Sequence, residues 1–155
     1  MAKAFLVVRI KGQADVPHWA NTTLNLLNLE KKYRAVIIPV KENTVGMLRK
    51  VQHYLSWQEI DIETTKELLD KKGRKSGYKK ITDEDVSKAG FKTIDELATS
   101  LSEGKISMSK IKPIKPWFAL SPPRQGFKRS TKRLYDQKGV LGHNKELTTL
   151  IRRMM

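Results

Sequence analysis

The residues best suited to acid–base or metal chemistry are three histidines, His18, His53 and His143, and they stand far apart with no His-x-x-x-His spacing. Each reads as a surface or packing residue. The acidic cluster Asp83-Glu84-Asp85 has the composition of a cation site. It follows Thr82 directly, however, and reads as first-turn acid of a helix, where negative charge meets the positive end of the dipole. The absence of cysteine excludes disulfides and cysteine-ligated zinc. No phosphate-cradling glycine loop, nucleophile elbow or paired-carboxylate constellation occurs either. The chemistry this chain is rich in is simpler: fixed positive charge interleaved with a few aromatic rings.

The 155 residues carry 31 Lys and Arg against 16 Asp and Glu, a formal charge of +15, with 39% hydrophobic residues. The apolar content supports one core. A charge so one-sided repels itself, and a polyanion is its natural partner. Residues 1–60 hold nine basic and four acidic side chains, residues 61–115 thirteen and ten, and residues 116–155 nine and two. The middle segment therefore reads as solvated, mixed-charge helices and the last one as nucleic-acid contact. The densest run is Lys71, Lys72, Arg74, Lys75, Lys79 and Lys80, six cations in ten residues that also hold Gly73, Gly77 and Tyr78 and no acid. Nothing in it builds a core, so a mobile loop that orders on a phosphate backbone is expected.

These cations need elements to hold them. Residues 4–11 are apolar and β-branched and predict a strand, with Leu6, Val8 and Ile10 on one face and Arg9 and Lys11 on the other. Asp15 is placed to cap a helix with Pro17 in its first turn and Val16, Ala20, Leu24 and Leu27 at helical spacing. Residues 34–40 predict a second strand that ends, or meets a sheet edge, at Pro39. Asn43 is a good cap for a second helix with Leu48, Val51 and Leu55 on one stripe. Gly46 lies near the start of that helix. Tight packing against the sheet would explain it, and so would close approach of a phosphate backbone. Further on, the patterns starting at Ser56, Thr82 and Thr93 resemble capping boxes, with Gly73, Gly90 and Gly104 as stops. Residues 114–121 predict a short third strand running into an extended basic loop, and Asn144 a cap for a C-terminal helix striped by Leu147, Leu150 or Ile151, and Met154. The N-terminal apolar run is too short for a signal peptide and no run approaches a bilayer span, so a soluble, unexported protein is expected.

In this order, the strand over residues 5–12, "TLNLLNL", the strand over residues 33–39, "ENTVGMLRKVQHYLSW" and "WFALSPPRQGFKR" resemble the ribosomal protein L-thirty family of the large subunit (L-seven in eukaryotes), in its archaeal form. The most specific pieces are Asn43, Gly46-Met47-Leu48, Lys50-Val51 and Tyr54, with Pro122-Pro123-Arg124 and Gly126-Phe127 downstream. The resemblance implies an α+β fold: a β-α-β-α-β core with a three-stranded antiparallel, ferredoxin-like sheet, its third strand supplied after a central insertion. Residues 1–59 would be the core module, 60–115 the mixed-charge helical insertion, and 116–155 the third strand, basic loop and C-terminal helix.

The resemblance also implies a structural, non-catalytic component of the cytoplasmic large subunit. It would bind large-subunit rRNA near the 5S rRNA and beside other ribosomal proteins, with no cofactor, metal, membrane or small-molecule substrate. RNA contact carries over to Arg9, Lys11, Arg34, Asn43, Lys50, Arg124, Lys128 and Arg129. Charge alone adds Lys71, Lys72, Arg74, Lys75, Lys79, Lys80, Lys132 and Arg133. Tyr78, Phe127 or Tyr135 could stack on an exposed base, with local packing as the competing use of each ring. A nucleic-acid chaperone or an RNA-modifying enzyme would share the charge; the first would not need a folded insertion and the second would need a cofactor site.

Overall fold

The computed structural model describes residues 4–155. Strand β1 (Ala4–Arg9) pairs antiparallel with β2 (Arg34–Pro39) on one side and with β3 (Leu55–Glu59) on the other. Helix α1 (His18–Leu26) links β1 to β2, and α2 (Glu42–Lys50) links β2 to β3. The βαβαβ order is the expected one, but its third strand follows α2 at once instead of coming after the central segment. Residues 56–59 are strand and not a helix cap: Ser56 faces Val8 and Trp57 faces Val7. Long-range pairing has overridden a local helix signal. Of residues 114–121, only β6 (Phe118–Ala119) is strand, and it pairs with the outer side of β2.

Beyond β3 lie β8 (Gly139–His143), parallel to it, and then β7 (Ser130–Leu134). The sheet therefore has six strands in the order β6-β2-β1-β3-β8-β7 and is mixed, not three-stranded and antiparallel. Helices cover both of its faces. On one, Ala20, Leu24 and Leu48 from α1 and α2 pack on Phe5, Val7, Val36, Leu55 and Trp57. On the other, α3 (Ile62–Lys72), α5 (Ile94–Ser102) and α6 (Leu147–Met154) bring Leu68, Leu97, Leu101, Leu147, Ile151 and Met154 onto Leu6, Val8, Ile10 and Ile37. The central segment is thus a second helical layer sharing a core with the first strands. Every residue of β1 is buried, on both faces. The face that carries Arg9 is therefore as buried as the face that carries Leu6 and Val8.

Helix ends divide along similar lines. Thr93 caps α5 through its side chain, with Glu96 N–H donating to the Thr93 hydroxyl at 3.3 Å, and Gly90 and Gly104 follow their helices with positive φ. Gly73 ends α3 for a different reason: a Cβ there would run into the Leu69 carbonyl and the Ile81 side chain. Asp15 does not cap α1; Pro17 takes that position, and its carbonyl accepts from Asn21 N–H at 3.0 Å. Asn43 is not a cap either, since Lys41 precedes the helix and Asn43 stands on its exposed side. Val51 and Leu55 are buried beyond the end of α2. Asn144 is buried ahead of α6, where its amide donates to the Val140 carbonyl at 3.2 Å and its oxygen accepts from Glu146 N–H at 2.8 Å. It sets the turn that launches the helix, and the four apolar residues of that helix are all buried.

Candidate nucleic-acid interface

Arg34 opens β2 with its side chain only 14% exposed, and its guanidinium lies over the Trp117 ring at 3.9 Å from the centroid. Lys115 is shared between two rings: its Nζ is 4.9 Å from the Trp117 centroid and 5.6 Å from the Tyr78 centroid. Arg74 completes the row at 5.6 Å from Tyr78. Five side chains from three separate stretches of sequence thus alternate cation and ring, from the β6 edge of the sheet to a small hairpin.

That hairpin is β4 (Arg74–Lys75) and β5 (Lys79–Lys80), closed by Tyr78 N–H donating to the Lys75 carbonyl at 2.9 Å, with Gly77 and Tyr78 both left-handed. The lysine-rich run is therefore not the mobile loop its composition predicts. Lys71 and Lys72 form the last turn of α3, and the remaining cations ride on paired strands. The hairpin is tied down twice. Lys115 N–H donates to the Arg74 carbonyl at 2.9 Å, and Lys75 Nζ pairs with Asp85 Oδ2 at 2.9 Å.

Asp85 sits in the first turn of α4 (Asp83–Lys88). The same Oδ2 accepts from the Thr82 hydroxyl at 2.7 Å and from Thr82 N–H at 2.9 Å. These hydrogen bonds, the Thr82 hydroxyl first and then its N–H and Lys75, hold the carboxyl well below the usual carboxylate range against the opposing effect of desolvation. A carboxyl depressed in the folded state contributes stability that is complete above its unfolded pKa and is lost only as pH falls through the folded value. The Lys75–Asp85 anchor should therefore survive from pH 7 to pH 4. Asp85→Asn should loosen it at every pH. In hydrogen exchange, the amides of residues 75–80 are expected to lose protection in that variant and to hold it in the parent chain down to pH 4.

A second basic surface follows β6. Arg153 Nη1 donates to the carbonyls of Arg124 and Gly126 at 3.2 and 3.0 Å, which fixes the loop carrying Arg124 and Lys128, both exposed. Phe127 stacks on Tyr33 with centroids 6.3 Å apart and packs against the core, so local packing accounts for that ring. A cleft of about 380 Å³ opens beside it, lined by Phe127, Lys128, Arg129, Val140, Glu146 and Arg153 among others. Arg129 is already engaged: it pairs with Glu146 at 3.1 Å and covers Tyr135 at 4.7 Å. Tyr78 is different. Half exposed at 52%, it touches only cations among its ring contacts and is the ring best placed to receive a base.

The remaining expected contacts are dispersed. Asn43 and Lys50 lie on the exposed side of α2, with Lys50 Nζ 5.7 Å from the Trp19 centroid. Lys11 follows β1 and is half-buried. Lys132 and Arg133 project from β7, the sheet edge opposite β6. Charges on an edge strand also discourage pairing with another chain.

Arg9 is a correction. It is fully buried, and its guanidinium donates to the carbonyls of Lys11 (2.9 Å), Leu29 (2.7 Å), Glu30 (3.1 Å) and Gly12 (3.1 Å). Burial lowers its pKa from the ordinary value. It clamps the chain leaving β1 to the chain entering β2 and has no face left for RNA. Lys115 and Trp117 are the residues that sequence reading missed; the alternation Lys115-Pro116-Trp117 carried a signal, since a cation and a ring two residues apart on extended chain share a face.

Among the described residues, no group of His, Asp and Glu is arranged to hold a metal ion, and no helix is long and apolar enough to cross a membrane. The arrangement suits a polyanion with exposed bases: fixed guanidinium and ammonium groups for phosphate, and ring faces at intervals between them.

Comparison with known proteins gives the class first. Residues 5–55, from β1 to the first residue of β3, match the family model "Ribosomal protein L30p/L7e". The whole chain then aligns with curated archaeal proteins named "Large ribosomal subunit protein uL30". It is 64% identical to those of Nitrosopumilus maritimus and Cenarchaeum symbiosum and 46% identical to that of Staphylothermus marinus, in each case over 100% of both chains. The chain belongs to the L30p/L7e ribosomal protein family.

Proposed function

We propose that this protein is a structural component of the cytoplasmic large ribosomal subunit that binds and stabilises folded large-subunit rRNA, with 5S rRNA and other ribosomal proteins nearby, and that it catalyses nothing. The observation that carries the reading is the row Arg34, Trp117, Lys115, Tyr78 and Arg74, which presents cations and rings alternately along one surface. The net charge of +15 and the end-to-end match to relatives named as large ribosomal subunit proteins support it. No cofactor, membrane or small-molecule substrate enters this reading.

Within it, the three segments divide the work. Residues 1–59 form the scaffold, residues 60–115 most of its second helical layer and the lysine hairpin, and residues 116–155 the strands β6, β7 and β8, the Arg124–Lys128 loop and α6. Lys11, Lys71, Lys72, Lys79, Lys80, Lys128, Lys132 and Arg133 neutralise phosphates. Lys75 and Arg129, already paired, position neighbours. Electrostatics alone would be fragile: about 6–10 phosphate contacts lose roughly 10³–10⁵ in affinity between 50 and 200 mM salt. Residence in a particle needs the ordered hairpin and stacking rings as well. Retention in the large subunit through a high-salt wash is the test.

A further inference from the structure

Residues 83–103 hold six acids and two bases, a net charge of −4 inside a chain of net +15. Part of that acid is used locally, since Asp85 is buried against Thr82 and Lys75. Helix α5 turns Leu97, Ala98 and Leu101 to the core and leaves Asp95, Glu96, Thr99 and Ser100 on its outer side. Its nine residues include no cation. Its neighbour α3 differs: Glu63, Lys66, Glu67, Asp70 and Lys71 interleave the two signs three or four residues apart, the pattern of a solvated helix.

The outer side of α5 is also not flat. A cleft of about 430 Å³ lies along it, lined by Phe91, Asp95, Glu96, Thr99 and Ser100. A second, of about 360 Å³, lies between α5 and α3 and is lined by Ile94 and Asp95 with Lys66, Glu67, Asp70 and Lys71. Asp95 lines both, so the two adjoin, and each has a half-buried apolar side chain, Phe91 in one and Ile94 in the other. Asp95 pairs with Lys66 at 3.2 Å yet stays 71% exposed, which leaves room for a second cation to reach it. The cleft beside Phe127, by contrast, sets Lys128, Arg129 and Arg153 against Glu146 alone.

We infer that this double cleft is the docking site of a lysine-rich segment of another protein chain in the particle, which seats apolar side chains on Phe91 and Ile94 and sets its cations against Asp70, Asp95 and Glu96. Charge decides the kind of occupant. Four carboxylates line the two clefts against two ammonium groups, and that balance repels phosphate. A second copy of this chain would set two net charges of +15 side by side. A basic segment of a different protein meets neither objection, and complementary charge both steers its approach and rejects wrong partners. The inference rests on residence in the large subunit and adds to it a face turned toward protein, on the stretch whose acid an RNA contact cannot use.

Zero-length carbodiimide coupling in purified large subunits, read by mass spectrometry, tests the contact, because it joins a carboxylate to an amine only where the two already touch. Asp70, Asp95 or Glu96 should be found joined to lysines of a neighbouring protein. Asp70→Lys combined with Thr99→Lys reverses charge in both clefts without touching the Thr93 cap, and it places a cation in the last turn of α3, where the helix dipole favours one. That variant should melt within about 2 °C of the parent chain, since both positions lie at the surface. It should also bind deproteinised rRNA no more weakly than the parent, while the coupling to the neighbour falls at least about fivefold as like charges meet. Coupling to Lys66 and Lys71 of the same chain alone would overturn the inference in favour of a solvated face. Ultraviolet crosslinks from Phe91 to rRNA would overturn it in favour of RNA, and coupling undiminished in the variant would show that charge does not select the occupant. Each of those results leaves the ribosomal reading intact, whereas absence of the parent chain from washed subunits would sink both.

Discussion

Arg9→Met is expected to cost about 3–5 kcal/mol of stability, the range seen when one side of a buried, charge-assisted network is removed. Four main-chain carbonyls, of Lys11, Gly12, Leu29 and Glu30, lose their donor together, and methionine fills the space without replacing it. For a chain of this length that corresponds to a fall in melting temperature of roughly 10 °C. Arg9→Lys should recover only part, because an ammonium cannot reproduce a planar fork spread over four acceptors. Lys128→Met at an exposed position should change stability by no more than about 0.5 kcal/mol. Thermal melts and denaturant titration measure all three. If Arg9→Met melted like the parent chain and lost only RNA affinity, Arg9 would be a contact residue after all.

The second large effect concerns the row of cations and rings. Arg74→Ala combined with Lys115→Ala should lower the slope of log affinity against log salt by about 1.5, one contact each on a single-stranded or looped RNA. Tyr78→Asn should leave that slope alone and weaken binding by about 1–3 kcal/mol, the usual worth of one stacked base. Asparagine is the chosen replacement because Tyr78 has a φ of 59°, a conformation that asparagine tolerates. Filter binding to large-subunit rRNA over a salt series separates the two effects. A slope unmoved by the double substitution would show that these cations only brace the rings.

Much of this protein can be read from its sequence, and the exceptions share a cause. The order strand, helix, strand, helix is visible in residues 4–50 because apolar periodicity and local turn residues agree there. The Thr93 cap is legible for the same reason. The strand at 55–59 is hidden behind a local pattern, Ser-x-x-Glu, that a helix N-terminus would use equally well; only pairing with β1 decides it. The burial of Arg9 is hidden because one strand does not reveal how many layers cover it. The unbroken apolar run from Ala4 to Val8 was the available clue, since a strand wet on one face alternates. Composition misread the lysine hairpin because its order comes from outside the run, from Asp85 and from the backbone of Lys115. The row likewise needs the fold: Arg34, Arg74 and Lys115 are distant in sequence and meet only when the central segment packs against the sheet.

The most direct measurement is sedimentation of large ribosomal subunits carrying this protein after a wash in high salt. On the proposed reading, shape, hairpin order and stacking hold it there together with charge. The protein should therefore pellet with the subunit at salt concentrations that strip a purely electrostatic binder of the same net charge, and the Arg74→Ala/Lys115→Ala variant should be released earlier. Quantitative release of the parent chain at moderate salt, in step with such a binder, would contradict a structural role in the large subunit.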